Sequence, residues 1–177
     1  YEKDDDNFRP DVILLINGIP LVFIEVKKPN NLNGIQAEHD RIETRFKNKK
    51  FRHFVNMTQF MIFSNNMEYD DSQVQPIQGA FYASPTYGRP IFNYFREEEL
   101  QNLDEILRPQ SSEIEDTVLR DTNLVSIKTT PEFKTNKAPD TPTNRVLSSL
   151  VSRERLAFML QYSLAYVKGE HGKLEKH

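Results

Sequence analysis

Residues 11–27 read DVILLINGIPLVFIEVK and carry the strongest structural signal of the chain. Two apolar runs rich in β-branched residues, Asp11–Ile16 and Ile19–Lys27, are joined by Asn17-Gly18. This pattern predicts a β-hairpin, because Asn-Gly is a strong signal of a tight turn between two strands. Apolar residues occupy both faces of each run. The hairpin therefore predicts strands inside a mixed sheet that is covered on both sides.

The segments after the hairpin continue an α/β pattern. Ile35, Ile42 and Phe46 repeat at seven- and four-residue spacings, which is typical of a helix. Apolar spacing and turn signals predict a helix at 35–48, strands within 54–64 and at 77–83, and a short amphipathic helix at 97–107. This order predicts an α/β fold with a central mixed β-sheet flanked by helices.

The C-terminal part differs in composition. Residues 128–144 are poor in core residues and rich in Thr, Pro, Lys and Asn, which predicts an exposed linker. A helix is predicted from Arg153 to Val167, with Ser152 as its cap and residues 169–172 as its stop. We expect three regions: an α/β domain at 1–110, an extension or linker at 111–144, and a helical segment at 145–177.

The composition excludes several classes of protein. The 177 residues include no cysteine, which excludes disulfides, Cys-ligated zinc, Fe–S clusters and thiol nucleophiles. The net charge of −3 gives no overall signature of polyanion binding. No run approaches the roughly 20 apolar residues of a membrane span, and no Gly-rich phosphate loop occurs. We expect a cytoplasmic protein without a membrane partner, and no ATP site in this segment.

Charge is unevenly distributed along the chain. Between Arg41 and Arg52 six basic residues stand against one acid, whereas between Arg96 and Asp116 eight acids stand against two basic residues. The first segment could attract a phosphate backbone, although two solvated helix ends would give the same pattern. Our candidates for phosphate contact are Lys28, Lys49, Lys50 and Arg52.

The chemistry lies at the end of the second strand, in Glu25-Val26-Lys27. Side chains alternate along a strand, so Glu25 and Lys27 project from the same face. Burying them costs several kcal/mol unless they pair or bind a ligand. Asp11 starts the partner strand, and two carboxylates at a strand end predict a Mg²⁺ site. With Lys27 to orient water or offset phosphate charge, these are the parts of a phosphodiester hydrolase. The alternative is an ordinary salt bridge between Glu25 and Lys27, with Asp11 solvated.

The register of the hairpin tests whether the two carboxylates share a site. With a two-residue turn and a regular ladder, Asp11 pairs with Ile24, and Asp11 and Glu25 point to opposite faces. One extra residue moves Asp11 opposite Glu25. The metal-site hypothesis therefore predicts either a three-residue loop, which pairs Ile16 with Pro20, or a bulge.

At these residues the sequence resembles a known family. Pro10-Asp11 and Glu25-Val26-Lys27 match the PD-(D/E)xK nuclease motif, and residues 9–29 resemble the nuclease domain of the restriction (R, or motor) subunit of type I restriction–modification enzymes. Residues 152–158 and 172–177 are similar to the segment that leads into the helicase-like motor of that subunit. The resemblance implies a restriction-endonuclease-like core with a C-terminal helical extension, in a fragment whose ATP-binding motor is absent.

The resemblance also implies residue roles. Asp11 and Glu25 would bind one or two Mg²⁺ ions, the backbone carbonyl of Val26 would be a further ligand, and Lys27 would be the catalytic lysine. The implied activity is endonucleolytic cleavage of double-stranded DNA after ATP-driven translocation by the motor. The modification and specificity subunits of a restriction–modification complex are the implied protein partners.

Members of this family often carry a Q-x-x-x-Y motif on the next helix. Here the best in-phase match is Arg41 and Arg45, so both positions depart from it, and Gln36 is an alternative anchor that lacks the Tyr. Arg41 and Arg45 lie one turn apart and could still grip phosphates. Two rival hypotheses stay open: a catalytically silent DNA-binding or docking module, and a repair nuclease or junction resolvase with the same motif.

Overall fold

The computed structural model describes residues 2–3, 6–7, 9–29, 34–70, 72, 78–86, 90–96, 107–169, 172 and 174–176. In chain order its strands are β1 (Glu2–Lys3), β2 (Asp6–Asn7), β3 (Val12–Ile16), β4 (Ile19–Val26), β5 (Phe60–Ser64), β6 (Ala80–Ala83), β7 (Asn93–Tyr94), β8 (Tyr166–Lys168) and β9 (Leu174–Lys176). Its helices are α1 (Gly34–Lys47), α2 (Arg52–Met57), α3 (Ser112–Asp121), α4 (Pro131–Asn136), α5 (Pro142–Leu150) and α6 (Arg153–Tyr162), with 3₁₀ turns at Lys49–Phe51 and Val125–Thr129.

A mixed sheet of five strands lies at the centre of the described fold, in the order β3-β4-β5-β6-β7. Strands β4 and β5 are parallel, and the other neighbouring pairs are antiparallel. The parallel pair requires a crossover, which α1 and α2 supply between the two strands. The predicted α/β class with a helix-flanked mixed sheet is confirmed, and the architecture is consistent with a restriction-endonuclease-like fold. The helix predicted at 97–107 lies, apart from its last residue, outside the described residues, as does residue 77 of the strand predicted at 77–83.

Apolar side chains cover both faces of the sheet. Phe23 packs on one face with Ile42 of α1 and Phe54 of α2, whereas Val22 and Ile24 pack on the opposite face. The second face is covered from α5 and α6 by Val146, Leu150 and Leu156. Each fully buried side chain of this size stabilises the fold by about 1.5–3 kcal/mol. This two-sided burial explains why β4 is apolar at successive positions.

Strand β3 departs from the prediction, because it forms an edge of the five-stranded sheet and not its interior. Val12 and Leu15 are 49% and 58% exposed. The apolar pattern of a hairpin does not specify which of its two strands acquires a second neighbour. That choice is made by β5, which pairs with β4.

The β3–β4 hairpin contains the irregularity that the shared site requires. Asn17 and Gly18 both have positive φ, 50° and 80°, so the turn is a two-residue turn of the primed type. Ile16 pairs with Ile19, and the predicted three-residue loop is therefore wrong. The predicted alternative, a bulge, is confirmed: the register shifts between Leu14 and Leu15 and leaves Leu21 as the extra residue.

The bulge lies beside Pro20, whose missing N–H weakens the regular ladder at that point. Beyond it, Val12 pairs with Ile24. The residues next along the two strands, Asp11 and Glu25, are therefore brought level with each other, as the metal-site hypothesis predicted.

Residues 128–144, predicted as an exposed linker, contain no buried residue, but they include the end of a 3₁₀ turn, α4 and the first residues of α5 and are not linker throughout. Thr130 caps α4 through its hydroxyl, which accepts the Phe133 N–H at 3.3 Å, and Pro131 begins the helix. Pro142 begins α5 in the same way, and α5 crosses the predicted boundary at 144/145. The Thr and Pro residues that indicated a linker serve as N-cap and first-turn residues, where both types are favoured.

The predicted C-terminal helix is also shorter than expected. Helix α6 ends at Tyr162, and Tyr166–Lys168 forms β8, which pairs antiparallel with β9. The spacing of apolar residues up to Val167 suits a helix, but pairing with a strand that follows later in the chain decides the outcome. None of the described helices has the length and apolarity needed to cross a membrane.

Candidate active site

The structure brings together the three residues that the sequence marked as catalytic. The Val26 N–H donates to Asp11 Oδ2 at 2.8 Å, which holds the carboxylate of Asp11 beside the end of β4. Lys27 Nζ donates to Glu25 Oε1 at 2.5 Å. Glu25 is buried, with 6% of its surface exposed. The bulge at Leu21 shifts the register of the hairpin, and this shift brings the two carboxylates and the lysine together.

A third carboxylate, Glu38 of α1, completes the cluster. It is fully buried, and Lys27 Nζ lies 3.3 Å from its Oε2. Arg41 Nη1 lies 2.9 Å from Oε2, and Arg45 Nη1 lies 3.7 Å from Oε1. Three cations therefore surround one buried carboxylate, and Lys27 is held between Glu25 on the strand and Glu38 on the helix.

Glu38 is a residue that the sequence reasoning missed. The signal was present, since Glu38, Ile42 and Phe46 follow one another at four-residue intervals, and an acid stood in the apolar stripe of a helix. A carboxylate in such a stripe is buried with the stripe and needs cationic partners. Only the position of β4 against α1 shows that one of these partners is Lys27.

The surroundings shift both members of the Glu25–Lys27 pair. Burial raises the pKa of the Glu25 carboxyl, and the nearby charges of Glu38 and Asp11 add to this, against the opposing effect of Lys27. Burial by itself would lower the pKa of Lys27, but its hydrogen bond to Glu25 and the charges of Glu25 and Glu38 outweigh it, so the pKa is raised. Lys27 therefore stays cationic, and a positive charge near the Glu25 carboxyl would favour its ionised form.

The donor set suits a hard divalent cation. Glu25 Oε2 is buried and makes no hydrogen bond to a described residue. Together with the Asp11 carboxylate it offers the oxygen ligands that Mg²⁺ prefers. Within the described residues no group of three or more His, Cys, Asp and Glu side chains is arranged to hold a metal ion. Two carboxylates and the Val26 carbonyl would therefore form a partial cage, which matches the tendency of Mg²⁺ to keep several waters.

The predicted DNA-contact residues lie in three places: on α1, just after β4, and along the connection between α1 and α2. Arg41 and Arg45 contact Glu38, although the Arg41 side chain remains 52% exposed. Lys28 is exposed next to the site and makes no ion pair or hydrogen bond with a described residue. The remaining candidates lie along the connection between α1 and α2: Lys49, Lys50 and Arg52. The side chain of Gln36 lies outside what the structure describes. Contact of these residues with phosphate stays a prediction.

Residues 136–144, in the segment predicted as a linker, form a wall beside the site, which we call the second wall because the end of β4 forms the first. Asn66, just after β5, donates through Nδ2 to Asn136 Oδ1 at 3.0 Å and accepts the Thr143 N–H through Oδ1 at 3.0 Å. Ser64 and Thr143 share a hydrogen bond of 2.8 Å between their hydroxyl oxygens. Residues 136–144 are thereby fastened to the end of the strand that pairs with β4.

The fold is therefore an α/β domain in which a carboxylate just before β3, a carboxylate near the end of β4 and the lysine after β4 lie together. Residues 1–70 match the family model described as type I restriction enzyme R protein N terminus. The resemblance found in the sequence is thereby confirmed over these residues, which include Asp11, Glu25, Lys27 and Glu38. Searches of the curated proteins and of the solved structures return no match.

Proposed function

We propose that this chain is a Mg²⁺-dependent DNA endonuclease domain from the R subunit of a type I restriction enzyme. The observation that carries the proposal is the meeting of Asp11, Glu25 and Lys27 at the end of β4, which depends on the bulge at Leu21. The family match over residues 1–70 supports the same assignment from an independent direction.

In this proposal Asp11, Glu25 and the Val26 carbonyl hold the metal. When bound, a divalent ion supplies an activated water and neutralises charge on the phosphate. Lys27 stabilises the negative charge that develops on the scissile phosphate, and its raised pKa keeps it cationic for that role. Glu38 is a positioning residue, because its contacts with Lys27 would hold the ammonium in place when Glu25 turns to the metal.

The partners follow from the same proposal. Double-stranded DNA is the substrate, and Lys28, Arg41, Arg45 and the cluster Lys49, Lys50 and Arg52 are its candidate phosphate contacts. ATP-driven translocation belongs to a motor outside this chain, and the modification and specificity subunits complete the assembly. Because a separate subunit reads the sequence, the domain is expected to cut without base readout of its own.

A second candidate is a catalytically silent DNA-binding or docking module. The observation in its favour is the short Glu25–Lys27 ion pair, which pairs the two opposite charges without a metal. The two candidates agree on DNA binding and differ on metal binding and cleavage.

Calorimetry with Mg²⁺ and Mn²⁺ tests the proposal. The parent chain, with DNA added where needed to complete the cage, is expected to bind metal, and Asp11→Ala and Glu25→Ala are each expected to abolish binding. Glu154→Ala, which removes an exposed carboxylate from α6, is the matched control and should bind as the parent does. Supercoiled plasmid then reports nicking by the same four proteins. A folded parent that neither binds metal in the presence of DNA nor nicks it would support the silent module.

A further inference from the structure

Beside Lys27 lies a cavity of about 280 Å³. One wall is the end of β4 and the residues after it, including Lys27 and Lys28, and the other comes from Asn136, Thr141 and Asn144. Its volume is at the lower end of the range for ligand sites, which suits a phosphate or sugar-phosphate group better than a large molecule. The second wall lies outside residues 1–70, the segment that matches the family model.

Hydrogen bonds hold the second wall in place. The amide of Asn66 bridges Asn136 and Thr143, and Asn144 Nδ2 donates to the Ala138 carbonyl at 2.7 Å. The Asn66 backbone has a φ of 58°, a left-handed conformation that Asn tolerates better than most residues. These bonds fix the 136–144 segment against the sheet, so the cavity is bounded by ordered structure on both sides.

The lining chemistry favours an anion. Two cations line the cavity, Lys27, which is already paired with Glu25 and Glu38, and Lys28, and none of the described lining residues carries a carboxylate. Lys28 has no ion pair or hydrogen bond with any described residue. The Thr141 hydroxyl oxygen is buried in the wall and likewise makes no hydrogen bond within the described structure. Lys28 is thus available to the cavity, and a hydroxyl without a partner in the described structure lies buried in the cavity wall.

We propose that this cavity binds a backbone phosphate of the DNA strand, next to the phosphate that is cut, through Lys28 and Thr141. The inference rests on the proposed nuclease function and adds to it a subsite completed by residues 136–144. Lys28 and Thr141 act as positioning residues, since they hold the strand so that the neighbouring phosphate reaches Lys27. Backbone contacts of this type position DNA without reading its sequence.

Binding of a short labelled DNA duplex, measured without divalent metal so that no cleavage occurs, tests Lys28. Lys28→Ala is expected to weaken binding about tenfold and to reduce the slope of log affinity against log salt by about 1. Lys28→Arg should restore the slope. Lys168→Ala, which removes an exposed cation from β8 outside the cavity lining, is the charge-matched control. An unchanged slope in Lys28→Ala would overturn the proposal.

Substitution of Thr141 distinguishes a structural role from a binding role, because the two roles predict different changes in the urea midpoint and in DNA affinity. Thr141→Val removes a buried hydroxyl that has no partner in the described structure, so the urea midpoint is expected to stay level or to rise. DNA affinity is expected to fall several-fold, and Thr141→Ser, which keeps the hydroxyl, should recover it. A lower midpoint with unchanged DNA affinity would show that the hydroxyl serves the fold alone.

Inorganic phosphate, titrated as a second probe, separates a DNA subsite from a site for free phosphate. Tight phosphate binding that depends on Lys28, with DNA binding independent of it, would overturn the DNA assignment. The inference and the proposed function can also fail separately. Metal binding lost in Asp11→Ala together with an unchanged Lys28→Ala salt slope would keep the nuclease and reject the subsite. A Lys28-dependent slope without metal binding would do the reverse.

Discussion

Two lysines at the ends of two hairpins have opposite surroundings. Lys27 follows β4 of the first hairpin and lies between the carboxylates of Glu25 and Glu38, so its pKa is raised. Lys176 lies in β9 of the second hairpin and is buried against backbone carbonyls at the end of α2. Its ammonium donates to Val55 O at 2.6 Å and also to Thr58 O, and burial lowers its pKa to about 8.

The difference separates a half-buried cation held by carboxylates from a buried cation held by backbone carbonyls. Carbonyl oxygens at a helix end stabilise an ammonium by hydrogen bonding and by the helix dipole, but they do not replace the lost hydration as full charges do. Lys176 therefore anchors the C-terminal hairpin to α2, and Tyr166 adds a second attachment by donating to Gln59 Oε1 at 2.7 Å. Lys27, in contrast, is paired with two carboxylates, an arrangement that suits the role proposed for it at the site.

The largest effect on DNA cleavage is expected when Lys27 is replaced by Met, and Lys176→Met is the comparison. Lys27→Met should reduce DNA cleavage by about a thousandfold, since under the proposed function it removes the positive charge that stabilises the scissile phosphate. Lys176→Met should leave the cleavage rate unchanged and alter stability instead. Plasmid nicking and urea denaturation of both variants measure the two responses. Equal losses of cleavage in the two variants would show that the lysines do not have separate roles.

Glu38→Gln is expected to reduce cleavage by about 10- to 100-fold, as loss of a group that orients a catalytic side chain commonly does. The substitution also makes the surroundings of Lys27 more like those of Lys176, so the pKa of Lys27 should fall. The alkaline limb of the cleavage–pH profile should then move to lower pH. Glu43→Gln, on the same helix and paired with Lys47 at the surface, is the control. A profile of unchanged shape would contradict a positioning role for Glu38.

The stability of the chain should depend on pH through Lys176. Its pKa is about 8 in the fold against 10.5 for an unperturbed lysine, so the unfolded chain binds more protons between these two values. The free energy of unfolding should therefore rise from pH 8 to pH 10.5, by at most about 3 kcal/mol. Urea denaturation across this range measures the rise. It should vanish in Lys176→Met and persist in Lys168→Met, whose side chain is exposed.

The smallest effects are expected at the turns of the two hairpins. Gly18 and Gly172 have φ values of 80° and 71°, which place both in the left-handed region. A Cβ at Gly18 would meet nothing within 4 Å, so Gly18→Ala should cost only backbone strain, about 1 kcal/mol. Gly172→Ala should cost about the same, because its nearest contact, Lys168 Cε at 3.5 Å, is an ordinary one. Thermal unfolding measures both, and neither change should alter nicking.

Much of the fold and of the site was predictable because it follows from local patterns. Alternation and the Asn17-Gly18 signal predict the hairpin, and the apolar stripe of Ile42 and Phe46 predicts α1. Glu25 and Lys27 share a face of β4 by strand geometry alone. The requirement for an extra residue in the hairpin also follows from counting positions along two paired strands.

Other features were decided only when distant segments met. The amino-acid pattern predicts an irregularity but does not place it; in the structure the turn closes on two residues and the ladder breaks at Leu21. Glu38 becomes part of the site because α1 packs against the face from which Lys27 projects. Residues 136–144 become a wall through bonds to Asn66, which lies about 70 residues earlier in the chain.

There is a physical reason why some features follow from local sequence patterns and others do not. Periodicity and turn chemistry act over a few residues, so the sequence by itself determined the hairpin, the first helix and the acid–acid–lysine spacing. Ion pairs and hydrogen bonds between segments far apart in the chain depend on packing that no local pattern encodes. The packing of distant segments therefore sets which residues hold Lys27, where Lys176 attaches the C-terminal hairpin, and what bounds the cavity beside the site.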